Sequence, residues 1–230
     1  MTPYYEADGI TIFHGDCREV LPGLGKVDLV LTDPPYNVGK DYGRHNDSMP
    51  DSEYESWCGD IVGRCLKCAD NQFWVAPRYR LGLWLSLLPG AHLVVIRRGA
   101  SGPIRQGWSD QFEIALSVGK PGQCLPDLWD DIRLKEEGYF FREETFGHPG
   151  YTPKLIMERA ISLLSESSVI DPFCGTGTTL VAAKLLGRRA IGIELEERYC
   201  EIAARRLAQG VLPLRVNGEP KLKEADLPGI

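Results

Sequence analysis

Val169-Ile170-Asp171-Pro172-Phe173-Cys174-Gly175-Thr176-Gly177-Thr178-Thr179 is the stretch that decides the fold. Val169 to Asp171 reads as a short buried strand. Gly175 and Gly177 let the backbone come close to a ligand. Leu180 to Leu186, closed by Gly187, reads as a helix, and Ala190 to Ile193 as a second strand ending on Glu194. Strand, glycine turn, helix, strand, acid is the grammar of a nucleotide-cofactor site. Helix-end N–H groups meet the ligand's negative end, and the acid accepts from ribose hydroxyls. A dinucleotide fingerprint wants a third glycine near Leu180, and none stands there. That disfavours an NAD-dependent oxidoreductase and leaves a cofactor with adenosine but no pyrophosphate.

Upstream, Val27 to Thr32 reads as another short buried strand. It delivers Asp33-Pro34-Pro35-Tyr36. Each proline fixes its φ and lacks an N–H, so Asp33 and Pro34 are pushed towards extended geometry with carbonyls free to accept. A carboxylate beside a carbonyl forms a pocket for an amino group with two hydrogens. The Tyr36 ring is placed to stack on the flat molecule carrying that amine.

Between these strands the chain alternates helix and strand. Residues 4–14 predict a hairpin turning at Asp8-Gly9, and Asp16 at its end reads either as a ligand contact or as a helix N-cap. Residues 37–50, polar and rich in Gly, Asp and Asn, predict a mobile loop beside the site. A helix is expected over 52–69, a strand over 72–76, a helix over 78–88, and strands over 92–97 and 111–118. Residues 98–108 are glycine-rich, and Arg97, Arg98, Arg105 and Trp108 suit phosphate contact and base stacking. The same loop also reads as an ordinary solvated hairpin. Thr152 is a good N-cap with Pro153 at the first helical position, and the helix runs to about residue 165. A last helix spans 196–208, and 211–230 reads as a tail.

A chain of 230 residues, 43% hydrophobic and 25% charged, fits one globular domain. The net charge of −6 argues against an obligate nucleic-acid binder, yet Arg78, Arg80, Arg97, Arg98, Arg105 and Lys120 face only Asp110 and Glu113 in their stretch. Seven cysteines, an odd number, and a polar start predict reduced thiols and a cytoplasmic protein. Cys65 and Cys68 have CxxC spacing, but no second pair follows, and with Cys58 they fall on the inner face of a helix. No metal is expected. No apolar run approaches membrane-spanning length.

With both motifs in view, the chain resembles the S-adenosylmethionine-dependent amino-methyltransferases that modify exocyclic amines of DNA bases. Asp33-Pro34-Pro35-Tyr36 and Asp171 to Thr179 carry the resemblance, in the order of that family's permuted beta group. Gly192 to Tyr199 resembles its ribose-binding strand end, and Gly15-Asp16 its motif near the adenine. The resemblance implies an α/β fold: a Rossmann-like, mixed seven-stranded sheet with helices on both faces and circularly permuted motif order. It implies one catalytic domain over 1–210, with target-recognition elements inserted within 37–147. It implies a flipped base stacked on Tyr36, with Asp33 and the Pro34 carbonyl on its amine and Pro35 stiffening the turn. An ordinarily ionised Asp33 suffices, so no histidine base is required. Phe173 would pack beside the sulfonium, Glu194 hold the ribose and Asp16 the adenine amine. Asp171 would meet the methionine ammonium or merely order the turn. Cys17, Cys174, Gly175, Thr176, Gly177, Thr178 and Leu195 complete the expected cofactor shell. Adenine N6 is the favoured target, with cytosine N4, an RNA substrate and a non-catalytic DNA-binding module as alternatives. DNA is the expected partner, and a homodimer and a cognate restriction nuclease stay open. The family often has His-Pro-x-x-Lys-Pro before the helix closing over the donor. Here His148-Pro149-Gly150-Tyr151-Thr152-Pro153-Lys154 puts Thr152 at the lysine's place, with Lys154 as a substitute to be tested.

Overall fold

A computed structural model describes residues 2–45, 47–97, 104–105, 108–109, 112–119, 125–130 and 152–209. Strands β1 (Tyr5–Ala7) and β2 (Ile10–His14) are followed by α1 (Cys17–Val20) and a 3-10 turn at Leu21–Gly23. Then come β3 (Leu29–Thr32), α2 (Asp51–Cys68), β4 (Asn71–Ala76), a 3-10 turn at Arg78–Arg80, α3 (Leu81–Leu87) and β5 (His92–Arg97). The short pair β6 (Ile104–Arg105) and β7 (Trp108–Ser109) precedes β8 (Phe112–Val118) and β9 (Leu128–Trp129). The chain ends its described part with α4 (Lys154–Leu164), β10 (Ser168–Asp171), α5 (Thr178–Leu185), β11 (Arg189–Glu194) and α6 (Glu197–Ala208).

The main sheet has nine strands in the order β1-β2-β11-β10-β3-β4-β8-β5-β9. β2, β11, β10, β3 and β4 run parallel, while β8 pairs antiparallel with both β4 and β5. Seven strands were expected. The body from β2 to β5 holds seven, and the extra two are short edges: β1, the first arm of the hairpin, and the two-residue β9. The hairpin turns at Asp8 and Gly9 with φ of 52° and 77°, the mirror-image turn that suits strand twist.

Each parallel strand is buried on both faces, which is why they read as apolar runs rather than alternating ones. In β3, Leu29 and Leu31 face a core built with Ile156, Met157, Ala160 and Ile161 of α4, Leu180 of α5 and Ala203 of α6. Val30 faces the opposite core, with Tyr54, Cys58, Ile61 and Cys65 of α2 and Trp84 of α3. Cys58, Cys65 and Cys68 are thus buried apolar filling on the inner side of α2. Burial pushes the Cys58 thiol up to about 11. Among the described residues no cluster of His, Cys, Asp or Glu could hold a metal, and no helix is long and apolar enough to cross a membrane.

β10 and β3 form the centre of the sheet. They are well over a hundred residues apart in sequence yet lie side by side, with Val169 opposite Leu29 and Ile170 opposite Val30. Asp28 fastens the seam: its Oδ2 accepts the N–H groups of Ser167 and Ser168 at 2.5 and 3.0 Å. From β10 the chain crosses through α5 to β11 on one side. From β3 it crosses through α2 to β4 on the other. The crevice between β10 and β3 is therefore the switch point of the sheet, where open α/β folds bind ligands.

Candidate active site

A cavity of about 840 Å³ opens over this switch point. It falls within the 300–1,000 Å³ or so typical of small-molecule sites. Asp33, Pro34, Pro35 and Tyr36 line it after β3, Pro172 and Phe173 after β10, Glu194 and Leu195 after β11, and Asp16 and Cys17 after β2. Four adjacent parallel strands thus each end in an acid: Asp16, Glu194, Asp171 and Asp33.

The tetrad after β3 is held by hydroxyl groups. Both oxygens of Asp33 are engaged: the Tyr36 hydroxyl donates to Oδ1 and the Thr152 hydroxyl to Oδ2. The Tyr54 hydroxyl donates to the Pro35 carbonyl at 2.9 Å, and the Tyr79 hydroxyl to the Tyr36 carbonyl at 3.3 Å. The Pro34 carbonyl is not among the acceptors these groups reach. The turn therefore places the half-buried Asp33 carboxylate and the neighbouring Pro34 at the cavity wall. Burial raises the Asp33 carboxyl above its ordinary value, opposed by the two hydroxyl donors and by the charge of Lys40. Sequence alone treats Asp33 as an ordinary ionised acid. In the fold, its charge state depends on those donors.

Thr152 does not cap α4 as its position suggests. Pro153 occupies the cap with no side-chain hydrogen bond, and the Thr152 side chain turns to Asp33 instead. Lys154 does not reach the cavity either, because its Nζ pairs with Glu158 Oε1 one turn along the helix at 3.1 Å.

The turn after β10 is built differently. Asp171 is 3% exposed and does not line the cavity. Its Oδ1 accepts from the Thr32 hydroxyl at 2.8 Å and the Phe173 N–H at 3.0 Å. These bonds order the turn. Cys174, Gly175, Thr176, Gly177 and Thr178, expected to touch the cofactor, do not line the cavity in this structure. Cys174 packs beneath the turn against Gly192, where an added Cβ would lie 2.7 Å from its Sγ. Gly175 N–H donates to Glu194 Oε2 at 2.9 Å. Gly177 (φ 84°) begins α5 and packs on Ala203. Thr176 and Thr178 face Arg206, whose guanidinium donates to the Thr176 carbonyl at 2.6 Å. Phe173 does face the cavity, its ring 5.6 Å from that of Trp57, which in turn lies 5.1 Å from His45.

Glu194 also accepts the Glu196 N–H at 2.8 Å. Burial drives its carboxyl up to about 7 despite these backbone donors, and burial drives Asp171 up to about 6. Asp16 is the exception. Its side-chain bonds to Arg18 hold it below the ordinary carboxylate value, and it caps α1 through Arg18 N–H at 2.8 Å. Asp16 is therefore the N-cap of α1, and it also lines the cavity. Cys17 is a buried thiol pushed up to about 12, and the Leu195 carbonyl lies 3.1 Å from His14 Nε2.

The loop expected to be mobile is folded on itself. Asp47, 3% exposed, accepts the N–H groups of Asn37, Val38 and Lys40 at 2.7, 3.0 and 2.9 Å. Asn37 and Met49 exchange two further bonds. The loop places Lys40, Tyr42, Arg44 and His45 on the cavity wall. None of these was marked from sequence, and neither were Trp57 or Tyr79. Exposed Arg97 ends β5 outside the cavity. Arg105 pairs with Trp108 in the short hairpin. Arg98, the side chains of Arg105 and Trp108, residues 131–151 and the tail from 210 lie outside the described residues.

A family model described as DNA methylase matches residues 108–205. Type II methyltransferase M.ScaI of Streptomyces caespitosus is 30% identical over 89% of this chain and 83% of its own. Type II methyltransferase M.BglII of Bacillus subtilis is 26% identical over 92% of this chain and 72% of its own. Among solved structures, a complex of M1.HpyAVI with SAM superposes with a TM-score of 0.65 at 24% identity, covering 86% of this chain and 98% of that one. The cytosine-N4-specific PvuII DNA methyltransferase superposes with a TM-score of 0.67 at 18% identity, covering 89% and 88%. Matched along nearly its whole length by such a relative, the chain belongs to the DNA methylase family, the N6-adenine and N4-cytosine amino-methyltransferases.

Proposed function

We propose that this DNA methyltransferase acts on the N6 amine of an adenine swung out of the duplex, with Asp33, Pro34 and Tyr36 as the groups that meet the base. The observation that carries the reading is the single cavity shared by the tetrad after β3 and by Phe173 and Glu194 after β10 and β11. One side can hold a base and the other a methyl donor.

S-adenosylmethionine is the donor of this family, and it supplies an electrophilic methyl group on a positively charged sulfur. The residues present fit such a molecule. Asp33 and Glu194 both open into the cavity with carboxyls raised by burial, and a positively charged group there favours their ionised forms. The aromatic wall of Phe173 and Trp57 suits a flat or polarisable group. Glu194 would hold the ribose hydroxyls, and Asp16 the adenine amine.

An exocyclic amine inside a duplex is paired and out of reach, so the base must be extruded. Asp33 and the Pro34 carbonyl accept its two hydrogens and draw lone-pair density onto nitrogen. Tyr36 stacks on the ring. Orientation supplies most of the acceleration. As positive charge develops on nitrogen, the Asp33 carboxylate lies beside it and accepts the proton the nitrogen sheds. A carboxyl raised by burial suits that task better than a strongly acidic one.

The deciding experiment is incubation with labelled donor and mixed DNA and RNA, followed by mass spectrometry of the nucleosides. Labelled N6-methyladenine from DNA supports the proposal. N4-methylcytosine would keep the pocket chemistry but change the base, and label confined to RNA would overturn the substrate.

A further inference from the structure

We propose that Thr152 is a positioning residue for the reaction: its hydroxyl holds the Asp33 carboxylate turned towards the amine. The inference rests on the role given to Asp33 above. Thr152 stands where a helix cap would be, yet Pro153 occupies that position. The Thr152 hydroxyl donates instead across 119 residues of sequence to Asp33 Oδ2. The other oxygen, Oδ1, takes the Tyr36 hydroxyl, so the carboxylate is gripped on both sides.

The two donors differ in what they can go on doing. Tyr36 is asked to stack on the base, and its ring stands at the cavity wall. A rearrangement of that ring on base entry would loosen its hold on Oδ1. Thr152 has no such second task. It sits on the fixed side of the carboxylate, immediately before α4, whose Ile156 and Met157 are anchored in the core. One oxygen is thereby pinned by the scaffold, and the other is left to face the substrate.

The hydroxyl also bears on charge. The groups facing Asp33 are Tyr36, Lys40 and Tyr42 on its own loop, Asp171 on β10 and Thr152 before α4. Lys154, at the start of α4, pairs with Glu158. Burial favours the protonated acid, while Thr152, Tyr36 and Lys40 favour the anion. Removing the Thr152 hydroxyl therefore raises the pH at which Asp33 ionises.

The test compares Thr152→Val, which keeps the shape, Thr152→Ser, which keeps the hydroxyl, and Thr152→Ala as a second deletion, with Asp33→Asn as reference. The readouts are kcat against pH for methyl transfer and S-adenosylmethionine affinity by calorimetry. Loss of a hydrogen bond to a charged group predicts a kcat lower by about 10–100-fold in the Val and Ala variants. Their acid limb moves to higher pH, and donor affinity stays within about twofold. Thr152→Ser restores both rate and limb. A Val variant with wild-type kcat and acid limb would overturn the proposal, as would a Ser variant as impaired as Val, which would mark Thr152 as packing only. If Asp33→Asn itself transfers methyl groups normally, the role of Asp33 has failed. If Asp33→Asn is inactive while Thr152→Val is normal, only the present inference has.

Discussion

Asp33 and Asp171 each end a parallel strand, each precede a proline, and stand on neighbouring strands of one sheet. Their surroundings give them different work. Asp33 is gripped by two hydroxyls, one from its own loop and one from the threshold of α4, and still faces the cavity. Asp171 is sealed among Thr32, Thr179 and the Phe173 N–H and touches no cavity. The same dipeptide is therefore open to the cavity in one place and closed off from it in the other. The bond from Thr32, the residue before Asp33, to Asp171 links the two, so the sealed acid steadies the strand that carries the open one.

The sharpest way to break this contrast is to remove each acid. Asp33→Ala is expected to lower methyl transfer by about a thousandfold or more while S-adenosylmethionine still binds. Full activity in that variant would leave the two acids without a functional difference. Asp171→Ala should act first on stability, since it strands three buried donors. A loss of about 2–4 kcal/mol in denaturant unfolding is expected. A variant as stable as the parent but unable to bind the donor would reverse the assignment and make Asp171 a contact residue.

Glu194 lies between these extremes, both tied to backbone N–H groups and open to the cavity. With its carboxyl raised to about 7, it is largely protonated at pH 6 and largely ionised at pH 8. Accepting from ribose hydroxyls favours the ionised form, so donor affinity should tighten as pH rises through this window, by at most about tenfold per unit. In the free protein the sign for stability is opposite. The folded state holds a proton that the unfolded state, at its ordinary 4.5, has already lost, so stability falls as pH rises from about 4.5 to 7. Glu194→Gln should flatten both profiles, as calorimetry and thermal melts across pH 5–8 would show. The smallest expected effect is at Arg97, exposed at the end of β5. Arg97→Ala should weaken DNA binding uniformly and lower the salt slope by about one. An unchanged slope would remove that arginine from the DNA face.

Much of the site was legible in the chain because strand ends announce themselves. Short β-branched runs stopping at Asp-Pro, or at an acid followed by a helix, gave Asp33, Glu194 and Phe173 their places beside one cavity. The loop over 37–50 is held by bonds that its composition does not announce. Its polar composition matches a mobile segment, but Asp47 uses that polarity to gather three backbone donors. The glycine turn has protein partners that its local sequence does not announce. Cys174, Thr176 and Thr178 satisfy Gly192, Arg206 and α6, partners that only the fold brings near.

By itself the sequence determined the elements, the two strand-end motifs and their permuted order, because hydrophobic period, proline and glycine act within a few residues. The tertiary structure alone decided that β3 and β10 are neighbours, that Asp171 is sealed while Asp33 is open, and that a threonine resembling a helix cap serves an acid from the far end of the chain. Burial and long-range hydrogen bonds set those outcomes, and neither is a property of any local stretch.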